Sequence, residues 1–268
     1  MKPVLLFELM LESVIGESVV SQNLYIESLL QDYDSIGLSD LNEHNLQRRI
    51  DSKYVFSYQV LIELLNRLSN EFYVLEVNNK RLQTYNNIYF DTPDFKLYNK
   101  HHNGHKNRYK VRKRHYKDSN ISFLEVKHKD NKSVTTKTRI KVPNSRANIK
   151  SFIYENLPKE YTKLVPSLKN QYKRIALISK QDIVRLTLDI DLGFSTAEAK
   201  TLRPINGLAI AELKRDSSAK SESFDALLHQ INLRTSSFSK YCIGTSLNHP
   251  ELKYNRFKPI ITQIRKFS

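Results

Sequence analysis

The sequence predicts an α+β domain in which about eight antiparallel strands form a closed or nearly closed barrel with helices outside. Six segments alternate aliphatic and charged residues with a period of two, the pattern of strands whose faces meet different surroundings. Three other segments place apolar residues at helical spacing, which suits helices that cover the aliphatic face. Arginine and lysine dominate the charged face, so we predict that this face lines the inside of the barrel.

Composition and charge limit the classes of protein that this chain can be. Its 268 residues are 40% hydrophobic, which excludes a disordered chain and allows one large domain or two small ones. The single cysteine excludes an internal disulfide and fits a reducing compartment. The sequence has neither a signal-peptide pattern nor a run of 18 apolar residues, so we expect a soluble, cytoplasmic protein without a direct membrane span.

Positive charge is concentrated after the first 45 residues. Residues 1–45 contain one lysine and eight acidic residues, a net charge of −7, whereas the whole chain carries +15 and the remainder therefore +22. Such a balance indicates either a polyanionic partner or a solvated basic surface. We predict an acidic, helical N-terminal segment over 1–45 that packs on or next to the barrel, the barrel domain over 46–248, and a C-terminal tail or helix over 249–268.

The helices are predicted by apolar stripes. Ser57 is in a position to cap a helix whose leucines repeat at i, i+3, i+4 and i+7. Similar stripes recur over 149–157 and 224–231. The stripe residues are Leu61, Leu64, Leu65 and Leu68, then Ile149, Phe152, Ile153 and Leu157, then Phe224, Leu227, Leu228 and Ile231. These stripes are most simply faces that pack on a core.

The strands carry the functional signal. In residues 105–116, "HKNRYKVRKRHY", the residues Arg108, Lys110, Arg112 and Arg114 share one face, and Lys113 lies with His115 on the other. Any one such strand could simply turn its charged face to water. Cations packed inside a barrel are costly without anions. A lumen of this kind therefore fits a protein that binds phosphate chains and uses acidic residues to hold a divalent metal.

Nine motifs in order resemble one family over roughly residues 46–248. They are "RRIDSKYVF", "NIYFDTPDFKLY", "NRYKVRKRHY", "FLEVKHK", "KSVTTKTRI", "YKRIA", "RLTLDIDL", "AIAELKRD" and "FSKYCIGTSL". This series resembles the VTC-type polyphosphate polymerase domain of the triphosphate tunnel metalloenzymes. The resemblance implies a tunnel-shaped antiparallel β-barrel. It also implies transfer of the γ-phosphoryl group of ATP to a growing inorganic polyphosphate chain, with Mn²⁺ or Mg²⁺ as cofactor.

The resemblance also assigns site residues. It implies catalytic roles for Lys53, Arg112, Arg114, Lys127, Arg174 and Glu212. It implies substrate contacts by Lys137, Arg139, Tyr172, Arg185, Lys214, Ser239 and Lys240, to which strand parity adds Arg108 and Lys110. Glu212 would hold the metal. Strand parity places Asp189 and Asp191 in the lumen as well. Asp189 and Glu125 are further metal candidates, whereas we expect Asp191 to pair with neighbouring cations.

The sequence departs from parts of this superfamily. The hydrolase and cyclase branches carry Glu-x-Glu-x-Lys on the first strand, where this chain has "RIDSK", which weakens the case for a second metal. Eukaryotic relatives add a regulatory helical domain and transmembrane helices, which we do not expect here. A separate membrane protein would then be the partner that moves the product.

Three alternatives to a polymerase stay open at this stage. The same barrel could act as a triphosphatase, or it could bind triphosphate or polyphosphate as a sensor without turnover. A nucleic-acid-binding protein would also be basic, but the cations alternate on many separate strands, so we expect no nucleic-acid partner. His101, His102 and His105 could suggest a metal site, but Gly104 favours a surface loop.

Overall fold

A computed structural model of the chain describes residues 21–40, 49–132, 134–181, 183–216 and 222–267. Residues 1–20 and 41–45 of the predicted acidic segment, and the side chain of Phe224, lie outside the described part. The helices are α1 (residues 21–29), α2 (Tyr58–Leu68), α3 (Lys96–His102), α4 (Arg146–Asn156), α5 (Glu222–Gln230), α6 (Lys240–Asn248) and α7 (Lys258–Ile264). The strands are β1 (Ser35–Ile36), β2 (Arg49–Ser57), β3 (Phe72–Leu75), β4 (Gln83–Asp91), β5 (Arg108–Tyr116), β6 (Ile121–Lys129), β7 (Thr135–Val142), β8 (Val165–Ser179), β9 (Val184–Thr196), β10 (Arg203–Ile205) and β11 (Leu208–Asp216).

Eight strands form one continuous antiparallel path, β2-β11-β9-β8-β4-β5-β6-β7. Three short strands extend it, since β3 pairs with β8, β1 with β3, and β10 with β9. Within the described residues, the end strands β2 and β7 do not hydrogen-bond to each other. Nevertheless Lys53 of β2 and Lys137 of β7 line the same cavity, so the sheet curls until its two ends face each other. The predicted α+β class, with an antiparallel sheet curled around a charged interior, is confirmed.

Helix α2 begins after Ser57, at the position that the sequence predicts, but the Ser57 side chain makes no capping hydrogen bond. Leu61, Leu64, Leu65 and Leu68 are all buried in the largest core cluster, on the outer face of β9 and β11. Full burial of a leucine side chain contributes about 1.5–3 kcal/mol, so this stripe is a main attachment of α2 to the sheet.

The two ends of the described chain pack on the outside of the sheet. Ile26 of α1 and the following Leu30 are buried in the same core cluster as α2. Ile261 and Ile264 of α7 belong to a second cluster, which also contains α6. Residues 21–32 therefore pack on the sheet, and residues 249–267 include a short helix, whereas the division of the chain into three segments stays a prediction. The described part of the chain contains no helix that is both long and apolar enough to cross a membrane.

Helix α6 lies very close to the sheet. A Cβ atom at Gly244 would come within 2.3 Å of the Phe194 ring and 2.7 Å of Leu168. Because real Cβ atoms are not found at such distances, only glycine allows this approach of α6 to β8 and β9. The N-terminal end of α6 is thereby brought to the cavity described below.

Candidate active site

A cavity of about 350 Å³ lies inside the curled sheet. Among the described residues, its wall contains nine lysine or arginine side chains and four acidic ones, a formal excess of five positive charges. The lining residues are Asp51, Lys53, Tyr89, Lys110, Arg112, Arg114, Glu125, Lys127, Thr135, Lys137, Tyr172, Arg174, Asp189, Ile210, Glu212, Lys214, Phe238, Ser239, Lys240 and Tyr241. The cations that alternate along separate strands therefore converge on one interior space.

Fourteen of the predicted site residues lie in this wall, and three do not. The three outside it are Arg108, Arg139 and Arg185. Arg108 donates to the carbonyl oxygen of His105 at 2.7 Å, at the start of β5. The exposed Arg139 places its guanidinium 4.5 Å from the centre of the Phe123 ring. Arg185 pairs in register with Lys214 near the end of β11. All three have the predicted parity but do not line the cavity.

Asp189 and Asp191 do not lie on the same face of β9, and the prediction that both face the lumen is wrong for Asp191. The register of β8 against β9 shifts between Gln171 and Lys173, and Asp191 has a φ of 51°. This break in the alternation turns Asp191 outward, where it accepts from Tyr58 Oη at 2.7 Å and Asn23 Nδ2 at 2.8 Å. Lys173 Nζ lies 3.3 Å away. The expected pairing of Asp191 with a cation is confirmed.

Two buried carboxylates hold arginines of the wall in place. Arg174 donates two hydrogen bonds to the Asp189 carboxylate, from Nε at 2.5 Å and from a terminal nitrogen at 2.7 Å. Lys240 pairs with the same carboxylate. Burial would raise the pKa of Asp189, but the charges of Arg174 and Lys240 outweigh it and lower the pKa to about 2. Both oxygens of Asp189 are thus engaged with cations.

Glu125 has a similar environment elsewhere in the cavity wall, on β6. It accepts from Arg112 Nε at 2.7 Å, and Lys137 Nζ lies 2.5 Å from its other oxygen, an ion pair without good hydrogen-bond angles. Burial would raise the pKa of Glu125, but Arg112 and Arg114 outweigh it and lower the pKa to about 2. Glu125 therefore orients the Arg112 side chain across the cavity.

Glu212 is the predicted metal candidate with the most accessible oxygen. Its Oε1 pairs with Lys53, which lies opposite it in register, whereas Lys214 Nζ is 3.7 Å from Oε2. Burial would raise the pKa of Glu212, but Lys214 and Lys53 together lower it well below the usual range. The carboxylate is therefore ionised, with Oε2 outside hydrogen-bond distance of Lys214.

Oxygen donors beside Glu212 fit a hard divalent metal. Thr187 lies opposite Glu212 in register, and its buried hydroxyl has no hydrogen-bond partner among the residues that the structure describes. The described residues contain no cluster of three or more His, Cys, Asp or Glu side chains suited to a metal. Mg²⁺ and Mn²⁺ accept sites with one or two protein oxygens completed by phosphate oxygens. Glu212 and Thr187 thus fit a metal that is held largely by its phosphate ligand.

Arg114 and Tyr172 are both buried in the wall. Arg114 donates to Asn87 Oδ1 and to Tyr172 Oη, both at 3.0 Å. Burial would raise the pKa of Tyr172, but Arg114 and Arg174 outweigh it and lower the pKa below its ordinary value. Lys240 lies 4.5 Å from the centre of the Tyr172 ring. The phenol is therefore surrounded by cations that would also attract phosphate oxygens.

Lys127 is a cation of the wall without an ion pair among the described residues, and water reaches it through the cavity. Burial lowers the pKa of Lys127 to about 8, and the charges of Lys110 and Lys53 act in the same direction, whereas Glu212 and Asp51 oppose them. Lys110, which donates to Ser239 Oγ at 3.0 Å, also has a lowered pKa because of burial. The protein therefore holds these lysines in an environment that favours an added anion.

This pKa predicts that anion binding depends on pH. Lys127 is protonated below about pH 8 and loses its charge above it, so its contribution to anion affinity should decrease as pH rises. We compare the dissociation constants of the wild type and Lys127→Arg for tripolyphosphate. We expect the ratio of the wild-type constant to that of the variant to be up to about tenfold larger at about pH 9 than at pH 7. Calorimetric titration at constant ionic strength measures this ratio. The same ratio at both pH values would contradict the assignment.

The sequence did not single out several residues of the wall. Asp51, Tyr89, Thr135, Ile210, Phe238 and Tyr241 line the cavity without having been assigned a role. The parity of Asp51 with Lys53 was visible in the sequence. In contrast, Phe238 and Tyr241 reach the wall from the loop and first turn around α6, where no alternation exists to reveal them.

The histidine-rich segment is only in part the surface loop that the sequence suggested, since Gly104 lies in a turn and His105 is exposed after it, whereas the two preceding histidines are helical. His101 and His102 are the last residues of α3, and His101 Nε2 lies 3.0 Å from the Tyr109 carbonyl oxygen. Burial lowers the pKa of His101 to about 2, so its ring is neutral. The side chain contributes to packing beside Tyr241, with ring centres 6.0 Å apart.

Comparison with known families agrees with this arrangement. The family model of the VTC domain matches residues 48–249, about three quarters of the chain. The chain belongs to the VTC domain family. The match contains every strand of the main sheet and the cavity that they enclose. A search of curated proteins finds no match.

Solved structures similar to this VTC domain share little sequence with it. A candidate adenylate cyclase from Vibrio parahaemolyticus is 14% identical, with a TM-score of 0.43, over 74% of this chain and 97% of its own. A candidate adenylyl cyclase from Hippeastrum, described as having a dominant triphosphatase activity, is 15% identical, with a TM-score of 0.45, over 75% of this chain and 96% of its own.

Proposed function

We propose that this VTC domain is a metal-dependent polyphosphate polymerase that transfers the γ-phosphoryl group of ATP to a growing inorganic polyphosphate chain. The observation that supports it best is the excess of five positive charges in the wall of the interior cavity. A phosphate chain supplies the missing negative charge along its whole length, because each of its phosphates carries at least one.

Binding in this proposal depends on cations that the protein already holds in place. Arg112, Arg174 and Lys137 are each fixed by a buried carboxylate. Preorganised cations stabilise developing negative charge without reorganising during the reaction. Arginine forks bind pairs of phosphate oxygens, and lysines such as Lys127 and Lys53 act as point charges.

The proposed transfer step needs little from the protein beyond positioning and charge. A terminal oxygen of the polyphosphate chain forms a bond to the γ-phosphorus as the bond from that phosphorus to the β,γ-bridging oxygen breaks. ADP leaves with the electron pair of the broken bond. Because the attacking oxygen is anionic, no residue has to accept a proton, and Arg112 and Arg114 would neutralise the transferring group.

A bound Mn²⁺ or Mg²⁺ would neutralise charge on the phosphate oxygens. Glu212 would hold this ion through Oε2, with the Thr187 hydroxyl beside it. Lys53 and Lys214 would then pair with phosphates, while Asp189 would continue to orient Arg174 and Lys240. Among the predicted metal candidates, the accessible Oε2 favours Glu212 over Asp189 and Glu125, whose oxygens all contact cations.

The proposed partners follow from the same chemistry. ATP or another triphosphate is the donor, and inorganic polyphosphate is both acceptor and product. A separate membrane protein that carries the product, and a cytoplasmic location, remain predictions from the sequence. The convergence of the alternating cations on an interior cavity favours a phosphate chain over nucleic acid, which needs an open face.

The test is incubation of the purified chain with ATP and Mn²⁺, with the products separated on a gel and free phosphate measured. We expect long-chain polyphosphate together with ADP in proportion to the phosphate transferred. Free phosphate without polymer would instead identify a triphosphatase, in which water replaces the phosphate acceptor. Tripolyphosphate binding without turnover would identify a sensor.

A further inference from the structure

Asp91 is a completely buried carboxylate at the end of β4, outside the cavity wall. Its Oδ1 accepts from the backbone N–H groups of Thr92 at 2.7 Å and Leu97 at 2.8 Å. Its Oδ2 accepts from the N–H of Tyr98 at 2.9 Å. Asp91 and Thr92 before Pro93 in "FDTPDF" predict only a turn. In the structure, the Asp91 side chain also fixes the start of α3 against β4.

The same carboxylate reaches α6 through one hydrogen bond. Tyr241 Oη, in the first turn of α6, donates to Asp91 Oδ2. The Tyr241 ring also packs against Tyr89, with ring centres 5.2 Å apart, and both rings line the cavity. Asp91 and Tyr241 therefore connect the β4–α3 junction with the N-terminal end of α6, over a separation of 150 residues.

The first turn of α6 presents two groups to the cavity. Ser239 caps the helix by accepting from the Cys242 N–H at 3.2 Å and also accepts from Lys110. Lys240 pairs with Asp189 and lies over the Tyr172 ring. Unlike the cations on the strands, these two groups are not fixed by the sheet ladder. Their position depends on how α6 is attached.

We propose that Asp91 and Tyr241 are positioning residues, which hold the first turn of α6 so that Ser239 and Lys240 contact the phosphates of the bound chain. This inference rests on the proposed function, since it assigns residues that act on the same phosphate site. The hydroxyl of Tyr241 is the critical group, because it alone connects that side chain to Asp91. A displacement of about 1 Å at a phosphate contact is enough to weaken it severely.

Tyr241→Phe removes this hydroxyl with little change in volume, and Tyr98→Phe is its matched control. Tyr98 is buried in the same core cluster and donates to the Lys253 carbonyl oxygen at 2.8 Å, away from the cavity. We expect Tyr241→Phe to weaken tripolyphosphate binding roughly tenfold, and Tyr98→Phe less than about twofold. Calorimetric titration gives the affinities, and thermal melting shows whether both variants are folded.

A double-mutant cycle separates positioning from a general loss of stability. If Tyr241 acts through Lys240, Tyr241→Phe should weaken binding much less in a Lys240→Ala background than in the wild type. Asp91→Asn should weaken binding in the same direction as Tyr241→Phe. Equal affinity of wild type and Tyr241→Phe, or full additivity of Tyr241→Phe with Lys240→Ala, would overturn the positioning role but leave the proposed function standing. A wild-type protein that binds no tripolyphosphate would overturn the proposed function as well.

Discussion

Replacement of Glu212 by glutamine is expected to reduce metal-dependent turnover by about 10²-fold or more, while tripolyphosphate still binds. The carboxylate Oε2 is the proposed protein ligand of the metal, and an amide oxygen is a much weaker ligand for Mn²⁺ or Mg²⁺. Binding should persist because the change releases Lys53 and Lys214 to contact phosphate. Initial rates across a range of Mn²⁺ concentrations, together with tripolyphosphate titration, measure both effects.

Glu125→Gln is the matched control for this change. It removes one negative charge from the same wall, but both oxygens of Glu125 contact cations. We expect Glu212→Gln to raise the Mn²⁺ concentration that gives half-maximal turnover, and Glu125→Gln to leave that concentration nearly unchanged. If turnover is unaffected by Glu212→Gln, the metal is bound elsewhere.

Replacement of Arg112 by alanine is expected to weaken tripolyphosphate binding by about 10- to 100-fold. The expected loss corresponds to about 1.5–3 kcal/mol for hydrogen bonds to a charged group. Arg112 lines the cavity, whereas its neighbour Lys113 lies on the other face of β5, exposed to solvent. Lys113→Ala should therefore change the affinity by less than about twofold, although it removes the same charge.

Two further measurements make this comparison secure. Arg112→Ala leaves Glu125 buried with only Lys137 as an ion-pair partner among those described, so thermal melting must show that the variant is folded at the assay temperature. Arg112→Lys keeps the charge without the planar fork and should bind with intermediate affinity. Similar losses for Arg112→Ala and Lys113→Ala would mean that net charge, not the cavity wall, determines binding.

The local pattern of the sequence predicted the sheet and its charged interior face, and the family resemblance supplied most of the site residues. A period of two places Lys110, Arg112 and Arg114 on one face wherever the strand is regular, and the structure keeps this alternation along β5. The lumen-facing position predicted for Asp191 is wrong because a register shift and a positive φ interrupt the pattern. Local alternation cannot reveal such an irregularity.

Parity also fails to show where a cavity ends. Arg139 and Arg185 are on the predicted strands with the predicted parity, yet they do not line the cavity, because parity gives the face of a strand and not which of its residues border an interior space. Residues joined over long separations were not recognised at all. Asp91 looked like part of a turn, and only the fold brings it to Tyr241. Ser239 and Lys240 were found through the family resemblance, since a helix N-terminus gives no strand-like signal.

The excess of positive charge in the cavity wall also affects how stably the chain folds. Nine cations held around one space repel each other more than four acids can offset, and this repulsion opposes folding. A polyanion that binds only the folded chain shifts the equilibrium towards it, by about 2.7 kcal/mol at a hundred times its dissociation constant. Polyphosphate would therefore act as a thermodynamic stabiliser of this protein. If the chain makes polyphosphate, as proposed, it would be most resistant to unfolding in the presence of its own product.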